Sequence, residues 1–159
     1  MICNRRILSI IYLFQVGTIC PLAFLTAACG KPAKQNANAM PDYEIQWGTS
    51  GGFTGGGGGY TLHPDGRVES WEQIRAGSQR ETKLIGNVSS DAILKIRRII
   101  DEKELLRLEH NVAGNMTTSV VFRKDGKEHS ISWPAEPGSA PPQIASLMKQ
   151  LDAMITELK

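Results

Sequence analysis

The amino-acid sequence predicts an α+β domain in which helices cover one face of an antiparallel sheet. Residues 43–47 alternate apolar and polar side chains, which is typical of a strand with one buried face. Two β-rich runs flank Asp125-Gly126, a dipeptide that favours a two-residue hairpin turn. Residues 89–108 and 142–158 carry apolar residues at helical spacing. The predicted order is therefore strand, strand, strand, helix, hairpin, helix.

The three leading strands are predicted from composition and turn residues. The first covers 43–47, the second 60–63 and the third 67–75. Pro64-Asp65-Gly66 separates the second from the third, because proline presets one turn dihedral and glycine accepts a positive φ. Residues 83–85 are compatible with another short strand.

Both helices have recognisable beginnings. Ser89-Ser90-Asp91 supplies an N-cap hydroxyl and an acid in the first turn. Pro142 suits the first position of the final helix, where its missing N–H costs nothing. One apolar stripe of that helix is expected to cover the sheet, and it consists of Ile144, Leu147, Met148, Leu151, Met154, Ile155 and Leu158.

The N-terminus has the pattern of an export signal. A short basic segment with Arg5 and Arg6 precedes an apolar run that ends in Leu25-Thr26-Ala27-Ala28-Cys29. This ending resembles the lipobox of bacterial lipoproteins, which implies cleavage before Cys29 and acylation of its thiol and its new amine. The alternatives are an uncleaved membrane anchor, an ordinary secreted protein and export by the twin-arginine route.

The expected organisation has three parts. Residues 1–28 form a lipoprotein signal peptide, 29–41 form the lipidated N-terminus with a flexible polar tether, and 42–159 form a single globular domain. Two or more acyl chains would hold the protein stably on a membrane. Gly30 follows Cys29 where an aspartate would signal retention, and this resemblance implies the periplasmic face of the outer membrane.

Cysteine content and charge exclude several classes of protein. Cys3 and Cys20 leave with the signal, so the folded domain has no disulfide, no thiol nucleophile and no cysteine-ligated metal. Of the 18 Lys and Arg residues, Arg5 and Arg6 are also removed, which leaves 16 against 16 Asp and Glu. A neutral domain without a basic stripe is a poor candidate for nucleic-acid binding.

A glycine run is the most conspicuous motif, with seven glycines between Gly51 and Gly59. A phosphate-binding loop needs a following lysine, but Tyr60 and Thr61 follow here, so nucleotide binding is not expected. The run is interpreted as a long connection between two strands, or as a mobile surface loop that carries Phe53 outward. The candidate contact residues are Gly51, Gly52, Phe53, Thr54, Gly55 and Tyr60.

No motif predicts catalysis or a metal centre. His63, His110 and His129 lie in different segments, and none has a second ligand at metal-binding spacing. His129 is expected to be a partly buried sheet residue beside Ile131. An enzyme would need a site assembled from scattered residues such as His63, His129 and Asp65. No cofactor is expected apart from the covalent diacylglycerol and N-acyl lipid at Cys29.

Several short motifs carry a resemblance to known proteins. They are Ser50-Gly51-Gly52-Phe53-Thr54-Gly55, Tyr60-Thr61-Leu62 with Asp65-Gly66-Arg67-Val68, Gly114-Asn115-Met116 and His129-Ser130-Ile131-Ser132-Trp133. Together they resemble a group of uncharacterised bacterial lipoproteins and small secreted domains. The resemblance implies a fold and a secreted location, but no activity.

The order of elements is also similar to emfourin, a small protein inhibitor of thermolysin-type metalloproteases. Both combine an early Ser-Gly-Gly-aromatic-x-Gly segment with a late hairpin, a proline and a closing helix. The expected function is a non-catalytic interaction domain anchored in the cell envelope, with an envelope protein or a protease as partner. The alternatives are an emfourin-like inhibitor and an envelope enzyme.

Overall fold

The computed structural model describes residues 43–159. The predicted signal peptide at 1–28, the lipidation site Cys29, the tether to residue 41 and the first residue of the predicted domain lie outside the described residues. Within residues 43–159, neither helix combines the length and apolar character needed to cross a membrane.

Six antiparallel strands form one sheet in the order β4-β3-β2-β1-β5-β6. The strands are β1 (Glu44–Gly51), β2 (Gly56–Leu62), β3 (Arg67–Gln73), β4 (Glu81–Asn87), β5 (Met116–Lys124) and β6 (Lys127–Pro134). The two helices are α1 (Ser90–Glu102) and α2 (Pro142–Leu158), and a 3₁₀ turn at Leu105–Arg107 follows α1. The prediction of a mixed α+β domain with an antiparallel sheet is confirmed.

Two predictions about the first half of the domain are wrong. The predicted order has three strands before α1 but the structure has four, because the short strand considered at residues 83–85 does form and extends over Glu81–Asn87 as β4. The glycine run is a connection only as far as Gly55, and Gly56–Gly59 form the first half of β2. Glycine has a low intrinsic propensity for strands, but this segment is hydrogen-bonded to β1 on one side and to β3 on the other. Tertiary pairing therefore overrides local propensity.

Local sequence signals correctly predict where the two helices begin and where β5 turns into β6. Ser89 is the N-cap of α1, and its side chain accepts a hydrogen bond from the Ala92 N–H at 3.3 Å. Pro142 is the first residue of α2. Asp125 and Gly126 connect β5 to β6 with φ values of 50° and 73°, as a type I′ turn requires.

One hydrophobic core joins the sheet to both helices. Side chains from β1, β2, β3, β5 and β6 share a buried cluster with α1 and α2. We call the sheet surface that contributes them the core face, and its buried strand residues are Ile45, Trp47, Leu62, Val68, Val120, Phe122, Ile131 and Trp133. Alternating strand residues lie on the opposite surface, called the second face.

Candidate functional site

The turn between β1 and β2 presents Phe53 to solvent. Gly51, Gly52 and Gly55 have positive φ values of 122°, 72° and 62°, which only glycine adopts at little cost. The Gly52 N–H donates to the Asn115 carbonyl at 2.6 Å, and the Thr54 carbonyl accepts from the Ala76 N–H at 2.9 Å. These bonds tie the turn to two neighbouring segments, while the side chain of Phe53 is fully exposed.

Two further apolar side chains are exposed beside this turn. Ile74 is 74% exposed and Met116 is 40% exposed. Met116 pairs with Gly51 across β1 and β5, and a Cβ built on Gly52 would lie 3.1 Å from its Sδ. Ile74 lies on the other side, since a Cβ on Gly56 would meet its backbone. We call Phe53, Ile74 and Met116 the apolar tip.

A groove of about 730 Å³ runs along the glycine-rich end of the sheet. Its lining includes Gly56, Gly58, Tyr60, Glu72, Ile74 and Met116. Strand alternation places Gly58 on the same face as Tyr60 and Leu62, which is the core face. A Cβ at Gly58 would approach only the Trp71 carbonyl, at 3.3 Å. The missing side chain therefore leaves space above the sheet, and we call this space the glycine groove.

The inner end of the glycine groove is aromatic. The ring of Tyr60 lies 5.6 Å from that of Trp47 between centroids, and the Lys159 ammonium lies 5.7 Å from the Tyr60 ring centroid. The sequence motif grouped Tyr60 with Phe53 as a contact residue of one loop. In the structure Tyr60 belongs to β2 and not to the exposed turn. It lies at the boundary between the groove and the core.

The flank of the groove is acidic. Glu72 lines the groove, and Glu81 on β4 is its direct cross-strand neighbour. Both residues are exposed, and within residues 43–159 neither carboxylate forms an ion pair. Like charges directly opposite each other in an antiparallel pair are unfavourable. The pair therefore offers an uncompensated negative charge at the edge of the groove.

On the second face, Gly48 of β1 and Gly59 of the glycine run serve a different purpose. A Cβ on Gly48 would lie 2.6 Å from Cζ2 of Trp71, and one on Gly59 would lie 2.6 Å from the Gly48 Cα. Trp71 therefore lies across a strip of bare backbone and is only 7% exposed. The Arg80 guanidinium lies 4.3 Å from its ring centroid. These two glycines are required for packing.

A row of charged side chains crosses the sheet far from the apolar tip. Its centre is His63, whose Nδ1 lies 3.2 Å from Glu44 Oε2 and whose Nε2 lies 3.2 Å from Glu69 Oε2. The Arg67 guanidinium lies 2.9 Å from Glu69. Both ring nitrogens of His63 therefore face carboxylates that belong to the network.

Arg123 extends this row to the next two strands. It donates hydrogen bonds to Glu44 at 3.1 Å, to Gln46 at 2.6 Å and to Glu128 at 2.9 Å. Burial alone would lower the pKa of Arg123, but the hydrogen bonds and charges of Glu128 and Glu44 outweigh it and raise that pKa. Arg123 is therefore a permanent cation that holds three strands together.

Of the residues from which a scattered enzyme site was considered, Asp65 contacts Arg67 of the charged row beside His63, whereas His129 lies apart from both. His129 Nε2 lies 3.0 Å from the Leu105 carbonyl, and its ring stacks on Phe122 at 6.2 Å between centroids. His129 is half-buried in the sheet as expected, and it shares none of these contacts with His63. No group of three or more metal-ligating side chains occurs within the described part of the chain.

Sequence reasoning missed most of the groove. It singled out Gly51, Gly52, Phe53, Thr54 and Gly55, which form the turn, but not Ile74, Met116, Glu72 or Glu81. Glu72, Glu81 and Met116 come from β3, β4 and β5, and Ile74 directly follows β3, so only strand pairing brings them beside the turn. The motif Gly114-Asn115-Met116 was noted without a role, and it proves to be a neighbour of the turn.

No protein-family model matches the sequence, and no curated protein is significantly similar to it. The site must therefore be understood from its own geometry.

Proposed function

We propose that this protein is an envelope lipoprotein whose domain binds another protein through the apolar tip. The observation that carries the proposal is the full exposure of Phe53 beside the exposed Ile74 and Met116. Exposed apolar side chains are common singly, but a group on one protrusion is characteristic of interaction sites. Aromatic residues are also enriched where proteins bind one another.

The backbone of the turn supports a role in binding. Hydrogen bonds to Asn115 and Ala76 restrain the turn, and its three glycines accept the positive φ values that this path of the chain requires. A contact residue on an ordered turn loses less conformational freedom upon binding than one on a flexible loop. Phe53 is thus presented in advance of its partner.

We also infer that α1 and α2 pack on the same face of the sheet. Ile96 of α1 and Leu147 of α2 belong to the same buried cluster as Ile45 and Val120 of the core face. With both helices there, the glycine groove is the part of the core face that lies beyond their cover. This arrangement explains how a groove and an exposed tip coexist at one end of the sheet.

The membrane anchor rests on the sequence pattern that ends at Cys29. In the proposed arrangement a diacylglycerol and an N-acyl chain on Cys29 hold the protein on the periplasmic face of the outer membrane. Residues 30–41 then separate the domain from the bilayer.

Cys29→Ser tests the anchor directly. We expect this variant to lose its lipid, retain the signal peptide and fail to incorporate labelled palmitate in cells. Cys20→Ser is the matched control, because Cys20 lies inside the predicted signal. Equal labelling of the Cys29 variant and the parent protein would refute lipidation at this residue.

Crosslinking in intact cells tests the interaction site. A photo-crosslinking amino acid in place of Phe53 is expected to give one discrete adduct, and the same amino acid in place of the exposed Asp152 on α2 is expected to give none. Phe53→Ala should change the free energy of unfolding by less than about 0.5 kcal/mol, because the side chain packs against nothing. The same adducts from both positions would contradict a contact at the tip.

An emfourin-like inhibitor is the second candidate, and the ordered turn with an exposed aromatic residue favours it. An inhibitor that presents Phe53 to a thermolysin-type metalloprotease should abolish peptide hydrolysis at a one-to-one ratio without being cleaved. Phe53→Ala should weaken that inhibition at least about tenfold. Persistent hydrolysis at excess protein would leave only the interaction domain.

A further inference from the structure

We propose that the glycine groove binds an extended segment of a partner protein that carries basic and apolar side chains in alternation. This inference rests on the proposed function and specifies the chemistry of the partner. Its basis is the combination of an open backbone floor, an apolar rim and an uncompensated acidic flank.

The floor of the groove suits an extended chain. Gly58 leaves the core face without a side chain in the first part of β2, while Gly56 beside it is buried against the backbone of Gln73 and Ile74. In the neighbouring strand β1, the side chain at the position opposite Gly58 is the small Thr49, whose Oγ1 lies 3.0 Å from Oγ1 of Thr118. A peptide backbone can therefore approach the sheet closely across these positions.

The rim supplies apolar contacts at one end of the groove. Ile74 and Met116 lie on opposite sides of the glycines and are both exposed, and Phe53 extends beyond them. Methionine is flexible and adapts to different side-chain shapes. Successive side chains of an extended segment point to opposite sides, so every second side chain of a bound segment would point to this surface.

The flank determines the charge of the partner. Glu72 is the charged residue in the lining of the groove, and Glu81 stands directly opposite it on β4. Neither carboxylate has a cation within ion-pair distance among the described residues. A lysine or arginine of the partner would relieve the repulsion between them, and such complementarity favours a basic segment over an acidic one.

A matched pair of peptides tests this inference. Full-length protein in a non-ionic detergent is titrated into a fluorescent peptide of alternating lysine and valine, and separately into the same peptide with glutamate in place of lysine. We expect fluorescence anisotropy to report binding of the basic peptide at least about tenfold tighter than of the acidic one. Added salt should weaken that binding, because exposed charges are screened.

Two variants locate the binding. Gly58→Val places a β-branched side chain in the groove, where only the Trp71 carbonyl lies near its Cβ, and should abolish binding while the fold survives. Glu72→Lys should reverse the preference between the two peptides. Glu102→Lys, an equal charge change at the exposed end of α1, should leave it unchanged.

The outcomes separate this inference from the proposed function. Equal binding of both peptides, no binding of either, or a Glu72→Lys variant that behaves like Glu102→Lys would each overturn the basic partner. A specific crosslink from position 53 would still stand in those cases. Loss of that crosslink together with retained peptide selectivity would instead overturn the tip as the contact site.

Discussion

At the residue scale, the glycines of β1 and β2 divide into two groups by the direction in which a side chain would point. Gly48 and Gly59 belong to the second face, where Trp71 lies against the bare backbone. Gly58 belongs to the core face and has an open space above it. Adjacent glycines in one strand therefore have unrelated roles, one in packing and one in forming the groove.

Gly59→Ala and Gly58→Ala form a matched test of this division. A Cβ at Gly59 would overlap the Trp47 carbonyl oxygen and lie 2.6 Å from the Gly48 Cα, so the strands must separate. We expect Gly59→Ala to lower the free energy of unfolding by about 2 kcal/mol. Gly58→Ala should change it by less than about 1 kcal/mol.

Urea denaturation of the two variants provides the measurement. A shift of the midpoint without a change of slope would report stability alone. Equal midpoints for the two variants would contradict the assignment of Gly59 to packing.

At the element scale, the helices depend on local signals to different extents. Ser89 caps α1 through its side chain, whereas Pro141 at the N-cap of α2 makes no side-chain hydrogen bond. The first turn of α2 therefore depends on Pro142 and on burial of Ile144. Only α1 should respond strongly to a change at its cap.

Ser89→Ala should lower the free energy of unfolding by about 1 kcal/mol, because the Ala92 N–H loses its acceptor. Ser90→Ala is the control, since Ser90 is an exposed residue of the helix itself. Thermal denaturation followed by circular dichroism measures both. If the two variants melt at the same temperature, the cap contributes nothing.

The Asp125-Gly126 hairpin and β2 show which elements a local sequence pattern can predict and which it cannot. The hairpin was predicted correctly because both central residues favour positive φ and the register follows from a two-residue loop. The second half of β2 was predicted from Tyr60 onward, but its first half, Gly56–Gly59, was missed because four glycines carry no alternation of apolar and polar side chains. The extended conformation of these glycines comes from hydrogen bonds to β1 and β3. A local sequence pattern does not contain that information.

At the scale of the whole molecule, the two ends of the sheet differ in character. One end carries the charged row around His63 and Arg123, in which both ring nitrogens of His63 and the guanidinium of Arg123 lie beside carboxylates. The other end carries the apolar tip and the glycine groove, where Glu72 and Glu81 lack a counterion among the described residues. At the first end the charged groups are therefore paired within the domain. The second end presents carboxylates that are unpaired within the described part of the chain, together with exposed apolar side chains that a partner could contact.

Arg123→Gln tests the contribution of the charged row. Arg123 is 40% exposed, so solvent screens its ion pairs, and the expected loss of unfolding free energy is about 1 kcal/mol. Because the ion pairs raise the pKa of Arg123, the stability that they contribute is fully present at any pH below the ordinary pKa of arginine. It is lost only when the pH exceeds the raised pKa. The loss should therefore be the same at about pH 8 and about pH 10, a window above the range in which histidine side chains ordinarily titrate.

The control for this prediction is Arg107→Gln. Arg107 is 82% exposed, and its pairing with Glu104 joins residues three apart, so its removal should have no measurable effect. Urea denaturation at both pH values measures the two variants. Equal effects of the two substitutions would show that the row adds nothing beyond ordinary surface pairing.

The sequence by itself determined the class of the fold, the N-cap of α1, the start of α2 and the β5–β6 turn. Each of these depends on residues within one or two turns of chain, where dihedral preference and side-chain period act directly. The tertiary structure alone decided that Gly56–Gly59 form a strand, that Trp71 lies on Gly48, that Gly59 packs against the backbone of β1, and that Glu72 meets Glu81 beside the groove. Those features arise from the register between strands, and register is a property of distant segments brought together by a shared core.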